Sequence, residues 1–173
     1  VFMQEKSLKG VSVADDLIIK SIVLGSGGDV TPDDFIEATN EFYCIDGHQE
    51  SGRVVFAGEG NQAFTSNMSD LNNSQVFCEY LGKVWDIALD KSGIRACLVG
   101  DDKNPLLYNF ELNKKLSFDS QVPCGLISCC WSPDSSHFAV VGKNGQLTLY
   151  SVDQDFTEIK QVHQWKIAER DFK

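Results

Sequence analysis

The side chains that could do chemistry are scattered along this 173-residue chain and lack the spacings that catalysis requires. The three histidines, His48, His137 and His163, accompany no Gly-x-Ser-x-Gly elbow and no His-Glu-x-x-His pattern. The stretch Gly-Ser-Gly-Gly-Asp at 25–29 lacks the Lys-Ser/Thr that follows the glycines of a phosphate-binding loop. The sequence therefore predicts a protein that is not an enzyme and uses no cofactor.

The cysteines favour buried free thiols over a metal site. Most of them lie inside apolar runs, where a thiol packs as a small hydrophobic group; the six are Cys44, Cys78, Cys97, Cys124, Cys129 and Cys130. The last two are adjacent, so on a strand they point to opposite faces and cannot bind one metal ion together. We expect no metal site, and this use of cysteine suits a reducing compartment inside the cell.

The net charge of the chain bears on its partners. Twenty-five acidic and 15 basic residues give a net charge of −10. This balance argues against direct binding of nucleic acid; it either favours a basic protein partner or serves only to keep the protein soluble. The sequence has no apolar run of the length of a membrane span, and its first residues lack the order of a signal peptide, so we expect neither a membrane span nor secretion.

Charged and polar residues in predicted turns are the candidate partner-binding residues, because loops on a rigid scaffold often carry binding contacts. Carboxylates at such positions mainly raise the association rate and its dependence on salt. The candidates are Asp90 and Lys91 in "DKSG", Asp101, Asp102 and Lys103 in "GDDKNP", Lys143 and Asn144 in "GKNG", and Asp33 and Asp34 near the N-terminus.

These turns recur because the chain contains an internal repeat of 42 residues. Gly58, Gly100 and Gly142 are separated by this interval, and each ends an apolar run. The same shift aligns Tyr43, Trp85 and Ile127. In the third copy, an alternating strand "ISCCW" is followed by the turn "SPDSS", the strand "HFAVV", the turn "GKNGQ" and the strand "LTLYSV".

Each connector between copies contains a short, partly apolar run, "VFCEYL" or "KLSF", which we predict to form a fourth, outer strand. Four antiparallel strands at a period near 42 are typical of a β-propeller blade. We therefore predict an all-β, WD40-like β-propeller fragment with about three four-stranded antiparallel blades, at 40–78, 79–120 and 121–165, plus an N-terminal strand. Since closed propellers have more blades, the remaining blades of the same propeller are expected elsewhere.

The residues outside the repeats form a leader and a tail. In the leader, 1–39, a strand at 17–24 is predicted either to complete a blade or to be an ordinary edge strand. Thr31 as N-cap and Pro32 at the first helical position predict a short helical turn there. Residues 166–173 are either the start of a next blade or a tail.

The segment 129–152, "CCWSPDSSHFAVVGKNGQLTLYSV", resembles a WD40 repeat. The Trp-Asp pair that usually ends such a repeat is replaced by "LYSV" and "YNFE". The pair Trp85-Asp86 stands at the start of a blade, so we expect it to serve packing rather than the structural tetrad of that family.

A closer resemblance covers most of the chain. The segments "CIDGHQESGRVVFAGEGNQAF", "WDIALDKSGIRACLVG" and "ISCCWSPDSSHFAVVGKNGQLTLY", after an acidic "TPDDF" loop, resemble the start of the N-terminal β-propeller of nuclear pore proteins on the cytoplasmic face. This resemblance implies a scaffold that docks a DEAD-box RNA helicase in mRNA export, located at the nuclear envelope or in the cytoplasm. The alternatives are a WD40 adaptor of a coat, ribosome-assembly or ubiquitin-ligase complex, or the non-catalytic propeller of a larger enzyme.

Overall fold

The computed structural model describes residues 2–4, 7–13, 18–24, 30–37, 41–120 and 122–167. Across these ranges the backbone forms sixteen β-strands and no helix. Short apolar runs with alternating polar residues, each ended by glycine, asparagine or a charged turn, favour strands over helices. The described chain is therefore all-β, as predicted.

Three sheets of four strands follow one another between residues 42 and 166. The first contains β5 (Phe42–His48), β6 (Arg53–Gly58), β7 (Gln62–Asn67) and β8 (Asp70–Glu79). The second contains β9 (Val84–Leu89), β10 (Arg95–Gly100), β11 (Leu106–Asn109) and β12 (Lys114–Ser117). The third contains β13 (Leu126–Trp131), β14 (His137–Gly142), β15 (Gln146–Val152) and β16 (Ile159–Lys166). The segment 166–173 is predicted as a tail or the start of another blade; Lys166 is the last residue of β16, and residues 168–173 lie outside the described residues.

Each sheet is an antiparallel meander in which consecutive strands are neighbours. The first strands of the three sheets lie side by side, with β9 in contact with both β5 and β13. The prediction of three four-stranded antiparallel sheets is confirmed, and their arrangement is consistent with propeller blades. We call these sheets blades 1, 2 and 3.

Two apolar cores lie between the blades. Val55 and Ala57 of blade 1 pack with Leu98 of blade 2, and Cys97 of blade 2 packs with Phe138 of blade 3. Because β10 sends alternate side chains to both neighbours, it is buried along almost its whole length. This sharing of one strand between two cores explains why "RACLVG" reads as a continuous apolar run.

Arginine side chains join each blade to the turn of the next. Arg53 Nη1 donates to the carbonyl oxygen of Gly93 at 2.6 Å, and 42 residues later Arg95 Nη2 donates to that of Ser135 at 2.7 Å. The same guanidinium groups lie over the rings of Phe110 and Trp131. Each arginine thus combines a charge-assisted hydrogen bond with a cation–π contact.

Aspartates on the first strands make a second join. The Leu89 N–H donates to Asp46 Oδ2 at 2.7 Å, and the Cys129 N–H donates to Asp86 Oδ2 at 2.9 Å. In both cases a carboxylate satisfies a main-chain donor on the neighbouring first strand. Asp86 therefore joins blade 2 to blade 3 by a hydrogen bond, whereas the sequence predicts only packing for the Trp85-Asp86 pair.

The leader contains more strands than predicted. β1 (Phe2–Gln4), β2 (Ser7–Val13), β3 (Ile18–Leu24) and β4 (Val30–Glu37) form an antiparallel sheet in that order. β3 is paired with β2 on one side and β4 on the other, so it is neither an edge strand nor a strand that completes another blade. The sheet contacts blade 1 through β2 with β5 and β4 with β8.

The predicted helical turn at Thr31 and Pro32 is wrong. These residues lie in β4, where they pair with Val23 and Ile22 of β3. Cap signals act only on the local backbone, whereas pairing with β3 extends along the whole length of β4. The turn predicted at 25–29 lies outside the described residues.

Candidate functional site

A β-bulge occurs at the same place in every blade. Phe42 pairs with Gly58 and Cys44 with Ala57, so Tyr43 is an extra residue on the first strand. The corresponding extra residues are Trp85 in blade 2 and Ile127 in blade 3. Bulges redirect side chains out of the regular alternation of a strand. The 42-residue repeat therefore places three bulged residues at equivalent positions, at the end of the blades where the first strands begin.

In blades 1 and 2, glycine is needed opposite the bulge because two backbone segments come close together. A Cβ atom on Gly58 would lie 2.0 Å from the carbonyl oxygen of Glu41, and one on Gly100 would lie 1.9 Å from that of Lys83. The same two oxygens accept hydrogen bonds from the N–H groups of Glu59 (2.8 Å) and Asp101 (3.0 Å). The close approach thus fixes the loop after the second strand beside the bulged residue.

Tyr43 and Trp85 stack on one another across the boundary between blades 1 and 2. Their ring centroids are 5.2 Å apart and the planes differ by 14°. Both residues are half-buried, so part of each ring faces solvent. Aromatic surface that is held rigidly and partly exposed is typical of protein-binding sites.

Charged side chains hold this stack in place. The Trp85 indole N–H donates to Asp101 Oδ1 at 2.8 Å, and Lys143 Nζ lies 3.1 Å from the same oxygen. On the other side of the stack, Lys83 Nζ lies 2.8 Å from Glu59 Oε1. The Tyr43 hydroxyl donates to Glu41 Oε2 at 2.9 Å. We call this set the aromatic platform; it comprises Tyr43 and Trp85 with Glu41, Glu59, Lys83, Asp101 and Lys143.

The platform perturbs the titration of its members. Burial and the hydrogen bond to Glu41 raise the pKa of Tyr43. The hydrogen bond with Glu59 raises the pKa of Lys83. For Asp101, burial acts to raise the pKa, but the hydrogen bonds from Trp85 and Lys143 outweigh it, and the pKa is lowered. All these groups therefore keep their usual charge near neutral pH.

Five of the residues predicted from sequence lie at this end of the blades. Asp101 and Lys143 belong to the platform and form an ion pair with each other. Asp102 and Lys103 follow in the loop between β10 and β11, and Asn144 lies in the loop between β14 and β15. Whether any of them binds a partner stays a prediction.

Asp90 and Lys91 lie at the opposite end, in the turn between β9 and β10. Asp90 is buried, with 2% of its surface exposed, and its carboxylate accepts hydrogen bonds from Ser92, Ile94 and Arg95. This carboxylate holds its own turn together. Lys91 is exposed beside it.

Asp33 and Asp34 belong to β4 rather than to a loop. Asp34 pairs with Ser21, and the register shifts immediately before it, so Asp33 is an extra residue there. The leader aspartates and the platform are thus separate features of the fold.

The aromatic pair is not among the binding residues predicted from the sequence. The sequence predicts packing for Trp85, and it aligns Tyr43 with Trp85 in the repeat without giving Tyr43 a role. The signal was available, since large aromatic residues stand directly after the first residue of two successive first strands. The stack itself depends on the bulges, and they cannot be read from one blade alone.

The cysteines are free thiols, and four of the six are buried, as predicted. Cys129 is buried and Cys130 is exposed, so they point to opposite faces. Burial raises the pKa of Cys78 to about 12. Within the described residues, no three histidine, cysteine or acidic side chains are grouped as metal ligands. The same part of the chain has no helix that could cross a membrane.

Comparisons with known proteins do not identify a family for this chain. No protein-family model matches the chain, and a search of curated proteins finds no match.

Proposed function

We propose that this protein is a non-enzymatic scaffold whose blades dock a protein partner through the aromatic platform. The observation that carries this proposal is the Tyr43–Trp85 stack, which is half-exposed and braced by ion pairs on both sides. Preformed aromatic surface favours binding because little side-chain freedom is lost when the partner docks. Its charged border supplies a polar rim.

The partner that we favour is a DEAD-box RNA helicase, docked by the propeller of a nuclear pore protein of the WD40 type. Two observations support this choice: the sequence resemblance described above and the net charge of −10. An acidic scaffold would attract a basic surface of the helicase. The protein would then act in mRNA export at the nuclear envelope, with no direct contact to nucleic acid.

Further blades of the same propeller form part of this proposal. Cys97 and Val99 of blade 2 are fully buried against blade 3, and 42 residues later Ala139 and Val141 remain partly exposed. Cys130, which faces the same way as Ala139, is exposed. Another sheet packed on this face would bury these residues as blade 3 buries those of blade 2.

The test is direct binding of purified helicase to the full chain, measured by biolayer interferometry at low and moderate salt. We expect Trp85→Ala to weaken binding by about tenfold or more, because an aromatic anchor at the centre of an interface typically contributes that much. Asp101→Lys should lower the association rate, most strongly at low salt. Leu112→Ala, which removes an exposed apolar side chain in the turn between β11 and β12, is the control and should bind as wild type.

Absence of helicase binding by the wild-type chain would contradict the nuclear pore assignment. A WD40 adaptor of another complex, or the propeller of a larger enzyme, would then take its place. Equal loss of binding in Trp85→Ala and Leu112→Ala would instead contradict the placement of the docking surface on the platform.

A further inference from the structure

A groove with a volume of about 370 Å³ opens between the outer parts of blades 1 and 2. Its walls are the end of β8 with the connector to β9, the loop between β10 and β11, and β12 with the residues that follow it. Pockets of this size lie at the lower end of the range for bound ligands and suit a few side chains rather than a folded domain. We call this the interblade groove.

The apolar surface of the groove is exposed mainly at Leu81. This residue, in the connector between β8 and β9, is 76% exposed, the largest exposed fraction of any large apolar side chain in 41–120 and 122–167. Pro105, which is buried, and Phe118, which is half-buried, line the same groove, and Phe118 also packs against Tyr150 of blade 3 with ring centroids 4.9 Å apart. An exposed leucine beside a rigidly held aromatic ring offers a place for one apolar side chain of a ligand.

Negative charge surrounds this apolar surface. Glu79, Asp102 and Asp119 line the groove, against a single basic side chain, that of Lys115. The ammonium group of Lys115 lies 3.4 Å from the carbonyl oxygen of Glu79 and donates to it. The groove therefore has an excess of negative charge, and the ligand that complements it carries positive charge.

The strands on either side favour an extended ligand. β12 is the outermost strand of blade 2 and has β11 as its only neighbour within the described sheet. Its residues Lys115 and Ser117 line the groove as alternate positions of one strand. In an extended peptide, residues two apart also point the same way, so a basic and an apolar side chain can enter the groove together.

We propose that the interblade groove binds an extended protein segment in which a lysine or arginine stands two residues from a large apolar side chain. The apolar side chain packs on Leu81 and Phe118, and the basic one lies among Glu79, Asp102 and Asp119. This site is separate from the aromatic platform. Its test does not depend on the identity of the platform's partner.

The experiment measures the fluorescence anisotropy of a labelled peptide with the repeat Arg-Thr-Leu-Thr, titrated with the full chain. Threonine at the intervening positions favours the extended backbone. We expect saturable binding that weakens about tenfold in Leu81→Ser, because the contact of one apolar side chain is lost. Glu79→Gln should weaken binding roughly threefold at low salt, as expected for one exposed ion pair.

Two matched variants control for general effects on the surface. Leu112→Ser changes another exposed leucine, in the turn between β11 and β12, and Asp155→Asn changes an exposed carboxylate in the turn between β15 and β16. Both should bind the peptide as wild type does. Peptides with glutamate in place of arginine, or serine in place of leucine, should bind at least about tenfold more weakly.

The proposal is overturned by an absence of saturable binding, or by binding that Leu81→Ser and Leu112→Ser weaken equally. Equal affinity for the glutamate peptide would refute the role of charge. Tighter binding of single-stranded RNA than of the arginine peptide would assign the groove to another class of ligand and would also overturn it. All variants change exposed side chains, and urea unfolding confirms that each is folded before binding is measured.

Discussion

Substitution of Gly100 by alanine should destabilise the protein through one backbone contact. The added Cβ would lie 1.9 Å from the carbonyl oxygen of Lys83 and 2.8 Å from Cε1 of Tyr80. The φ angle of Gly100 is not in the left-handed region, so the backbone of Gly100 itself suits alanine. The loss of stability must therefore come from the close approach of the Lys83 carbonyl group, directly before β9. Gly100→Ala is thus a test of the bulge geometry.

The size of the effect follows from the displacement that the new atom requires. An ordinary Cβ contact begins near 3.4 Å, so the strand must move by about 1.5 Å. This movement displaces Val84, which is fully buried, and stretches the hydrogen bond from the Asp101 N–H to Lys83. Overpacking costs about 1 to 3 kcal/mol and a lost hydrogen bond about 1 kcal/mol. Alanine recovers about 0.5 kcal/mol by restricting the unfolded chain, and the net loss is about 1.5 to 3.5 kcal/mol.

Urea unfolding followed by tryptophan fluorescence measures this loss, and Gly142→Ala is the matched control. At Gly142 the new Cβ would meet Asn144 Oδ1 at 2.8 Å, the end of a flexible side chain, and Cys124 Sγ at 3.0 Å. We expect Gly142→Ala to cost less than about 1 kcal/mol, because these side chains can move. Equal losses for Gly100→Ala and Gly142→Ala would refute the reasoning, since the two differ mainly in whether backbone or side chain stands in the way.

Two further predictions concern the turn between β9 and β10. Burial acts to raise the pKa of Asp90, but hydrogen bonds from Arg95 and Ser92 outweigh it and the pKa is lowered. The stability that this carboxylate contributes is therefore present above its unfolded pKa and is lost as the pH falls below about 4. Asp90→Asn should have a lower free energy of unfolding than wild type at pH 7, and the difference should shrink in acid. A pH series of unfolding free energies checks this, and a difference that stays constant across the series would contradict it. Arg95→Lys keeps the charge but loses the hydrogen bond to the Ser135 carbonyl oxygen and the cation–π contact with Trp131. Thermal unfolding should show a loss of stability of about 1 to 2 kcal/mol. An unchanged midpoint would contradict the role of Arg95 in joining blades 2 and 3.

The blades could be predicted from the sequence because their signals are local and repeat. Alternation in "ISCCW", the turn residues of "SPDSS" and "GKNGQ", and glycines at a fixed interval each report on a few neighbouring residues, and three copies reinforce one another. The four strands of the leader lack such repetition. Its "TPDDF" segment carries helix-start residues, but pairing with β3 over its whole length decides its conformation.

The platform could be predicted only in part. The sequence predicts Asp101 and Lys143 as partner-binding residues because they are charged residues in turns. The structure brings them together because their positions in the repeat are equivalent and their blades are adjacent. The Tyr43–Trp85 stack requires two bulges in register on two sheets. This is a relation between distant backbone segments, and neither propensity nor period encodes it.

The joins between blades have a consequence for how far the repeats can diverge. Asp46, Asp86, Arg53 and Arg95 all direct a side chain to a main-chain N–H or carbonyl group of the next blade. Asp46 and Asp86 accept from the main-chain N–H groups of Leu89 and Cys129, which every amino acid except proline supplies, so these two positions can change without loss of the bond. Gly93 and Ser135, whose carbonyl groups accept from the arginines, both have positive φ angles, so few residue types suit them. Divergence between the blades is therefore tolerated at the N–H donors and restricted at the carbonyl acceptors and at the two aromatic rings that lie under the arginines.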